Sequence, residues 1–286
     1  MSDFVATAQI DLLADLLGVP TEKVSHLARL GPENLAQLRM RISNLKFDSQ
    51  EKQVAMIGRA APLVPDPVIA TLAEKIVGPV VSAAVANSLA KDHAHRLNGL
   101  LRRLRVPFVA QTLRYLDPRT VPTLAQEVPI RVWAPAVRRL LAEGHYASAA
   151  VLMEQAPVDL LLAVEREVDD REAIARTLAY TTDSQKLEEL LAALPEERLL
   201  PLVDSFGTGK AETILAGFSA ITRISPESRH KLATLLVDRL DDQGMTRFAQ
   251  TVVEAGAETQ LRELVNQNLE GDELARALAA IDGQLV

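Results

Sequence analysis

The chain of 286 residues contains no cysteine, which excludes disulfides, thiolate catalysis and zinc–thiolate sites and suits a reducing, cytoplasmic setting. Aromatic residues make up only 3%, so bases have few rings to stack on and no pocket for a large planar ligand is advertised. A signal peptide is not expected: Met1 to Gly18 carries Asp3, Asp11 and Asp15 and has no basic region followed by an apolar run. The longest apolar stretch, Ile76 to Ala90, lies between Lys75 and Lys91 and is interrupted at Gly78-Pro79. It falls short of the roughly 20 residues a membrane-spanning helix needs, so no crossing is expected.

What is present is a rhythm. From about Pro65 onward, short apolar helices opened by proline or a capping residue recur every 11 to 14 residues. One local phrase returns as Leu116-Asp117-Pro118-Arg119, Val128-Pro129-Ile130-Arg131, Ala156-Pro157-Val158-Asp159 and Leu194-Pro195-Glu196-Glu197. Proline suits a first helical position, where its missing N–H goes unused, and it forbids a single long helix. Apolar residues such as Leu187, Leu190, Leu191 and Leu194, and later Leu232, Leu235, Leu236 and Leu240, fall at spacings of three and four. That period predicts helices, not strands. A helix of roughly 10 residues is marginal alone, so each must bury its apolar stripe on its neighbours. With 48% hydrophobic residues, the expected fold is an all-α solenoid of short antiparallel helices.

Three regions are expected. Residues 1–60 form an atypical helical cap, with Leu12, Leu13, Leu16 and Leu17 on a first helix, a second helix capped by Thr21, and a third from Pro32. Residues 61–206 form the repeat body. Residues 207–286 continue from the glycine-bearing stretch Gly207-Thr208-Gly209, either as a separate domain or as more of the array.

The body, from Leu104 to Val203, with its proline-opened helices and the runs Ala149-Ala150-Val151-Leu152 and Leu190-Leu191-Ala192-Ala193-Leu194-Pro195, resembles the amino-terminal intracellular domain of the MgtE magnesium transporters. It is more distantly similar to the helical domains of the flagellar motor protein FliG. The resemblance implies a right-handed superhelix and a regulatory or scaffolding role. It does not imply transport, because nothing in the chain corresponds to the transporters' nucleotide-binding-type modules or pore.

Charge is segmental. The total is −7, yet residues 96–139 hold Arg96, Arg102, Arg103, Arg105, Arg114, Arg119, Arg131, Arg138 and Arg139, no lysine, and only Asp117 and Glu127. From residue 140 onward 26 acids face 13 bases. Arginine to the exclusion of lysine suits carboxylate or phosphate recognition, but it equally suits a solvated face or internal ion pairs. The candidate binding residues are therefore Arg96, Arg102, Arg103, Arg105, Arg114, Arg119, Arg138 and Arg139, together with Trp133. As the sole tryptophan, Trp133 either anchors an interface, stacks on a guanidinium, or packs between helices. The expected partner is another protein or a second copy, with a small anionic ligand as an alternative. Nucleic acid is disfavoured by the pI near 5.4 and the acidic carboxy half.

Catalytic constellations are few, and neither cofactor nor metal is expected. His93 and His95 are two apart and fall about 200° apart on a helix, so they do not readily serve one site. An enzymatic alternative would gather His93, His95, Arg103, Tyr115 and Asp117 in a helical cavity. His26, His145 and His230 read as isolated imidazoles. Asp169-Asp170 reads as a pair of helix-opening acids, and Asp241-Asp242 as part of the turn before Gln243-Gly244. Ser205 to Ala211 ends like a phosphate-binding loop but has Asp204 and Ala211 where glycine and a hydroxyl residue belong. Gly207 is expected to close a helix in the left-handed conformation.

Overall fold

In the computed structural model, residues 4–60 and 64–284 are described, and among them the fold is all-α, with 18 α-helices and no strand. The chain divides into two compact units. One comprises Gln9–Asp169; the other comprises Asp170 onward together with the start of the first helix through Ala8. The first unit holds most of α1 (Phe4–Leu17), then α2 (Pro32–Ala60), α3 (Asp66–Leu72), α4 (Gly78–Asp92), α5 (Ala94–Leu101), α6 (Val106–Leu113), α7 (Val121–Glu127), α8 (Ile130–Ala142), α9 (Tyr146–Gln155) and α10 (Val158–Glu167). The second holds α11 (Arg171–Tyr180), α12 (Ser184–Ala193), α13 (Glu196–Thr208), α14 (Ala211–Ile221), α15 (Pro226–Arg239), α16 (Asp242–Glu254), α17 (Glu258–Asn268) and α18 (Gly271–Asp282).

The recurring proline phrase is a seam of fixed form. At Val128-Pro129, Ala156-Pro157 and Leu194-Pro195, a helix ends in an apolar residue with extended backbone, proline follows with ψ of 144–153°, and the next helix starts at once. The residue before proline is driven out of the helical region by contact with the ring, and proline itself carries no amide to continue the ladder. Two residues thus end one rod and aim the next. Proline stands one residue before the helix rather than inside its first turn, a shift within the usual ambiguity of helix ends. At the fourth phrase, Pro118 opens a single 3-10 turn, Pro118–Thr120, ahead of α7. Leu240-Asp241 makes the same kind of seam without proline, the Asp241 carboxylate accepting from the Gly244 amide.

The rods stack in two rows within each unit. In the first, α2, α4, α6, α8 and α10 contact in succession, as do α3, α5, α7 and α9. In the second, α11, α14, α16 and α18 form one row and α13, α15 and α17 the other. Most helices lean on those one to three places away, the contact pattern of a helical-repeat array. Long arginines stitch the second unit. Arg223 donates to the carbonyls of Ala179 and Thr181 at the end of α11, and Arg276 donates to those of Val237 and Leu240 at the end of α15. The last carbonyls of a helix have no intrahelical donor, and a cation there also complements the helix dipole.

Several local expectations are corrected. Thr21 opens no α-helix: Thr21–Lys23 and Ser25–Leu30 are 3-10 turns, and the Thr21 hydroxyl donates to Asp11 at 3.2 Å. Gly207 does not close a helix, because α13 runs on through Thr208. Gly207 is instead a close-approach residue, where an added Cβ would stand 2.5 Å from Leu240 Cδ2. The apolar stretch near Ile76 is also longer than its sequence suggested. Asp66–Lys91 is a 26-residue helical run with mean hydropathy of 1.7 in its most apolar window, long and apolar enough by those measures to cross a membrane. It is jointed in the middle, where a π-turn over Ala73–Val77 meets Gly78 at φ +78°, a conformation that favours glycine.

Candidate functional site

The arginine strip resolves into individual bonds, most of them to acids brought from elsewhere in the first unit. Arg96 meets Asp66 at 2.6 Å, Arg105 meets Glu74 at 2.7 Å, Arg114 meets Asp15 at 3.2 Å and Arg139 meets Glu143 at 2.7 Å. Arg119 forks onto Asp117 at 2.7–3.0 Å and also reaches Asp48 at 2.8 Å, so its guanidinium is held more firmly protonated than usual, chiefly by Asp117. Arg102 donates to Asn98 one turn back at 2.8 Å. Arg103, Arg131 and Arg138 are exposed, and no ion pair to them is found among the described residues. Internal pairing therefore absorbs five of the nine arginines named above, and the outward positive charge shrinks to a few points.

The other candidates do not converge. Asp117, 3% exposed, is committed to structure, accepting from the Arg119 amide while its own amide donates to Asn87. His93 and His95 meet each other edge-on with ring centroids 6.3 Å apart. Tyr115 lies under the Arg114 guanidinium, 5.6 Å from the ring centroid. Of the five residues in the enzymatic alternative, only Tyr115 lines any of the cavities described here. Trp133 is no surface anchor. It is 6% exposed, shares a small internal cavity with Leu97, Leu101, Val109 and Leu124, and its indole N–H has no partner among the described residues. No group of three or more His, Asp and Glu is placed to hold a metal among the described residues. Asp170 and Asp241 accept from the amides of Ala173 and Gly244, as capping acids do.

One polar centre was not anticipated. Arg39, 7% exposed on α2, donates through Nε to the Oε1 of Gln9, itself 1% exposed, at 2.8 Å. Burial pushes this guanidinium below its ordinary range, against the pull of Glu154. A cavity of about 100 Å³ beside it is also lined by Lys46, Arg114 and Asp15. Its cations are already engaged, Lys46 with the Leu16 carbonyl at 2.6 Å and Arg114 with Asp15. The sequence signal was an arginine in register with Leu35 and Ala36 on an apolar helix face.

The least ordinary surface is apolar. On consecutive turns of α3, the π-turn and α4, Val68, Leu72, Ile76, Val77, Val80 and Val81 are 38–76% exposed. This ridge stands over a cavity of about 260 Å³ walled by aliphatic side chains, among them Ile69, Val81, Val85 and Leu89 on the ridge side and Leu97, Leu101 and Leu104 on the α5–α6 side. Leu72, Val77 and Val81 belong to both ridge and cavity, and so mark its mouth. Exposed Arg102 and Arg103 sit on the turn between Leu101 and Leu104. The turn is pinned to the ridge by Arg105, whose amide and Nε both bind the Glu74 carboxylate, at 2.5 and 2.7 Å; the amide bond above all holds that carboxyl below its usual range. No family model, curated protein or solved structure matches the chain.

Proposed function

We propose that the chain is a helical-repeat interaction module that self-associates, the basic-edged ridge of one copy docking on an acidic surface of another. The exposed ridge carries this reading. Six large aliphatic side chains in one contiguous run lose free energy to water, at about 25 cal/mol per Å² of apolar surface, until a partner covers them. Packing of α4 against α2, α5, α6 and α7 supports reading the run as the outer face of a folded unit rather than a span. Charge favours a second copy as the partner. Lys75, Arg102 and Arg103 border the ridge, while exposed acids such as Glu196, Glu197, Glu227 and Asp272 lie in the strongly negative carboxy half. The likeness of residues 104–203 to the MgtE amino-terminal domain supports a scaffolding or regulatory role, and the lack of cysteine supports a cytoplasmic one.

Sedimentation velocity tests the proposal. At roughly 100 µM the chain is expected to sediment as a dimer or larger species, a micromolar association typical of modest interfaces. Ile76→Glu should return it to a monomer, and about 1 M salt should weaken association through the charged border. A monomer at that concentration in low salt refutes the reading.

A further inference from the structure

The cavity beneath the ridge has a different chemistry from the ridge itself. Its volume of about 260 Å³ lies near the lower end of the ~300–1,000 Å³ range of small-molecule pockets. That is room for one slender chain, not for a folded cofactor. Its walls offer almost nothing polar. The hydroxyl of Thr112 is satisfied by the Phe108 carbonyl at 2.8 Å, and the Ser82 hydroxyl is buried with no partner among the described residues. A polar ligand would lose its hydration to such walls without return, whereas a hydrocarbon gains with each methylene it buries. The cavity is not sealed, since its mouth opens between Leu72, Val77 and Val81. Arg102 and Arg103, both exposed, are the two turn residues between the cavity-lining Leu101 and Leu104, and the Arg102 Nε is held by Asn98. Guanidinium forks bind carboxylate and phosphate, and they do so best where water is partly excluded.

We infer that this cavity binds a single-chain anionic amphiphile, a fatty acid or a monoalkyl phosphate, with its hydrocarbon tail among Val81, Val85, Leu89 and Leu97 and its head at Arg102 and Arg103. The inference deepens the ridge proposal without needing self-association to be correct, because Ile76 tops the ridge and does not line the cavity. Trp133 supplies a built-in reporter. Ala86, Leu97, Leu101 and Thr112 border both the cavity and the space around the indole, so a bound polyene lies within energy-transfer range of the only tryptophan in the chain.

The experiment titrates the full chain with cis-parinarate and follows quenching of Trp133 together with sensitised emission from the polyene. Saturable binding of one equivalent is expected, displaced by oleate and by dodecyl phosphate in parallel arms that separate carboxylate from phosphate heads. Dodecanol, which lacks the charge, should compete about tenfold less well, a 1.4 kcal/mol difference. Val85→Phe fills the cavity and should cost about tenfold or more in affinity. In case that variant misfolds, the surface pair Arg102→Glu with Arg103→Glu is the second probe; it should weaken anionic amphiphiles severalfold and leave dodecanol unchanged. Ile76→Glu should bind parinarate normally while losing self-association, so the two proposals fail separately. Absence of saturable transfer, binding indifferent to both sets of variants, or binding only to lipid vesicles and not to monomeric amphiphile would each overturn the inference.

Discussion

Gly217 on α14 is the position where the packing leaves least room. A Cβ added there would stand 2.6 Å from Phe206 Cβ on α13 and closer still to the ring, against the 3.5–4.0 Å of ordinary carbon contact. Phe206 is 2% exposed, so its ring has nowhere to retreat without pushing α13 and α14 apart. Gly217→Ala gains about 1 kcal/mol of helix propensity and loses about 1–3 kcal/mol or more to overpacking. Overpacking wins because the obstacle is a buried ring rather than the end of a flexible chain. A net loss of about 1–2 kcal/mol corresponds to a fall in Tm of roughly 2–8 °C, read by circular dichroism at 222 nm. The double variant with Phe206→Leu gives the sharper measurement. Shortening the ring should relieve the clash, so the pair should be less destabilised than the sum of the singles by about 1 kcal/mol, beyond ordinary additivity error. A Gly217→Ala chain that melts at or above the parent temperature would refute the close helix–helix approach.

Gly207→Ala should also destabilise, by about 1 kcal/mol, because Leu240 Cδ2 at 2.5 Å belongs to a side chain that can shift part of the way; urea unfolding midpoints will rank the two glycines. Arg276→Ala removes the donors for the Val237 and Leu240 carbonyls and the 2.7 Å bond to Asp242, and about 1–3 kcal/mol should be lost in the same unfolding assay, with Arg276→Lys recovering only part because it lacks the fork. Burial, aided by the Arg114 charge, holds His145 below its ordinary value, so the folded state takes up fewer protons than the unfolded one. The resulting stability is present above the unfolded value of about pH 6.5 and lost as pH falls through the folded one, a slope that His145→Gln should remove from Tm-against-pH curves. Glu74 likewise sits below its ordinary range through the Arg105 amide; its contribution is present above about pH 4.3 and lost as pH falls through the folded value, and Glu74→Gln should flatten the acid limb.

How far the sequence could be read depended on how local each cause was. The seams at Pro129, Pro157 and Pro195 were legible because proline acts on itself and on its immediate predecessor, wherever the helices later pack. Serial stacking followed from rods too short to stand alone. Gly207 was misread because its meaning depends on Leu240, 33 positions further on, and no local pattern announces that approach. Counting arginines overstated the basic surface for the same reason. Asp15, Asp48, Asp66 and Glu74 all precede the strip in the chain, yet they sit against it in the fold. The ridge is not legible in the stretch from Ile76, whose length and apolarity bear only on whether it could span a membrane. Exposure, not length, is what distinguishes it, and exposure depends on which faces α2, α5 and α6 leave uncovered.

The two-row stacking within each unit has a mechanical consequence. A rod that touches only its near successors transmits little to distant ones, so damage to one rung stays largely with its neighbours and each unit can open rung by rung. Hydrogen exchange should then show amide protection that varies from helix to helix along a row, instead of one common opening event.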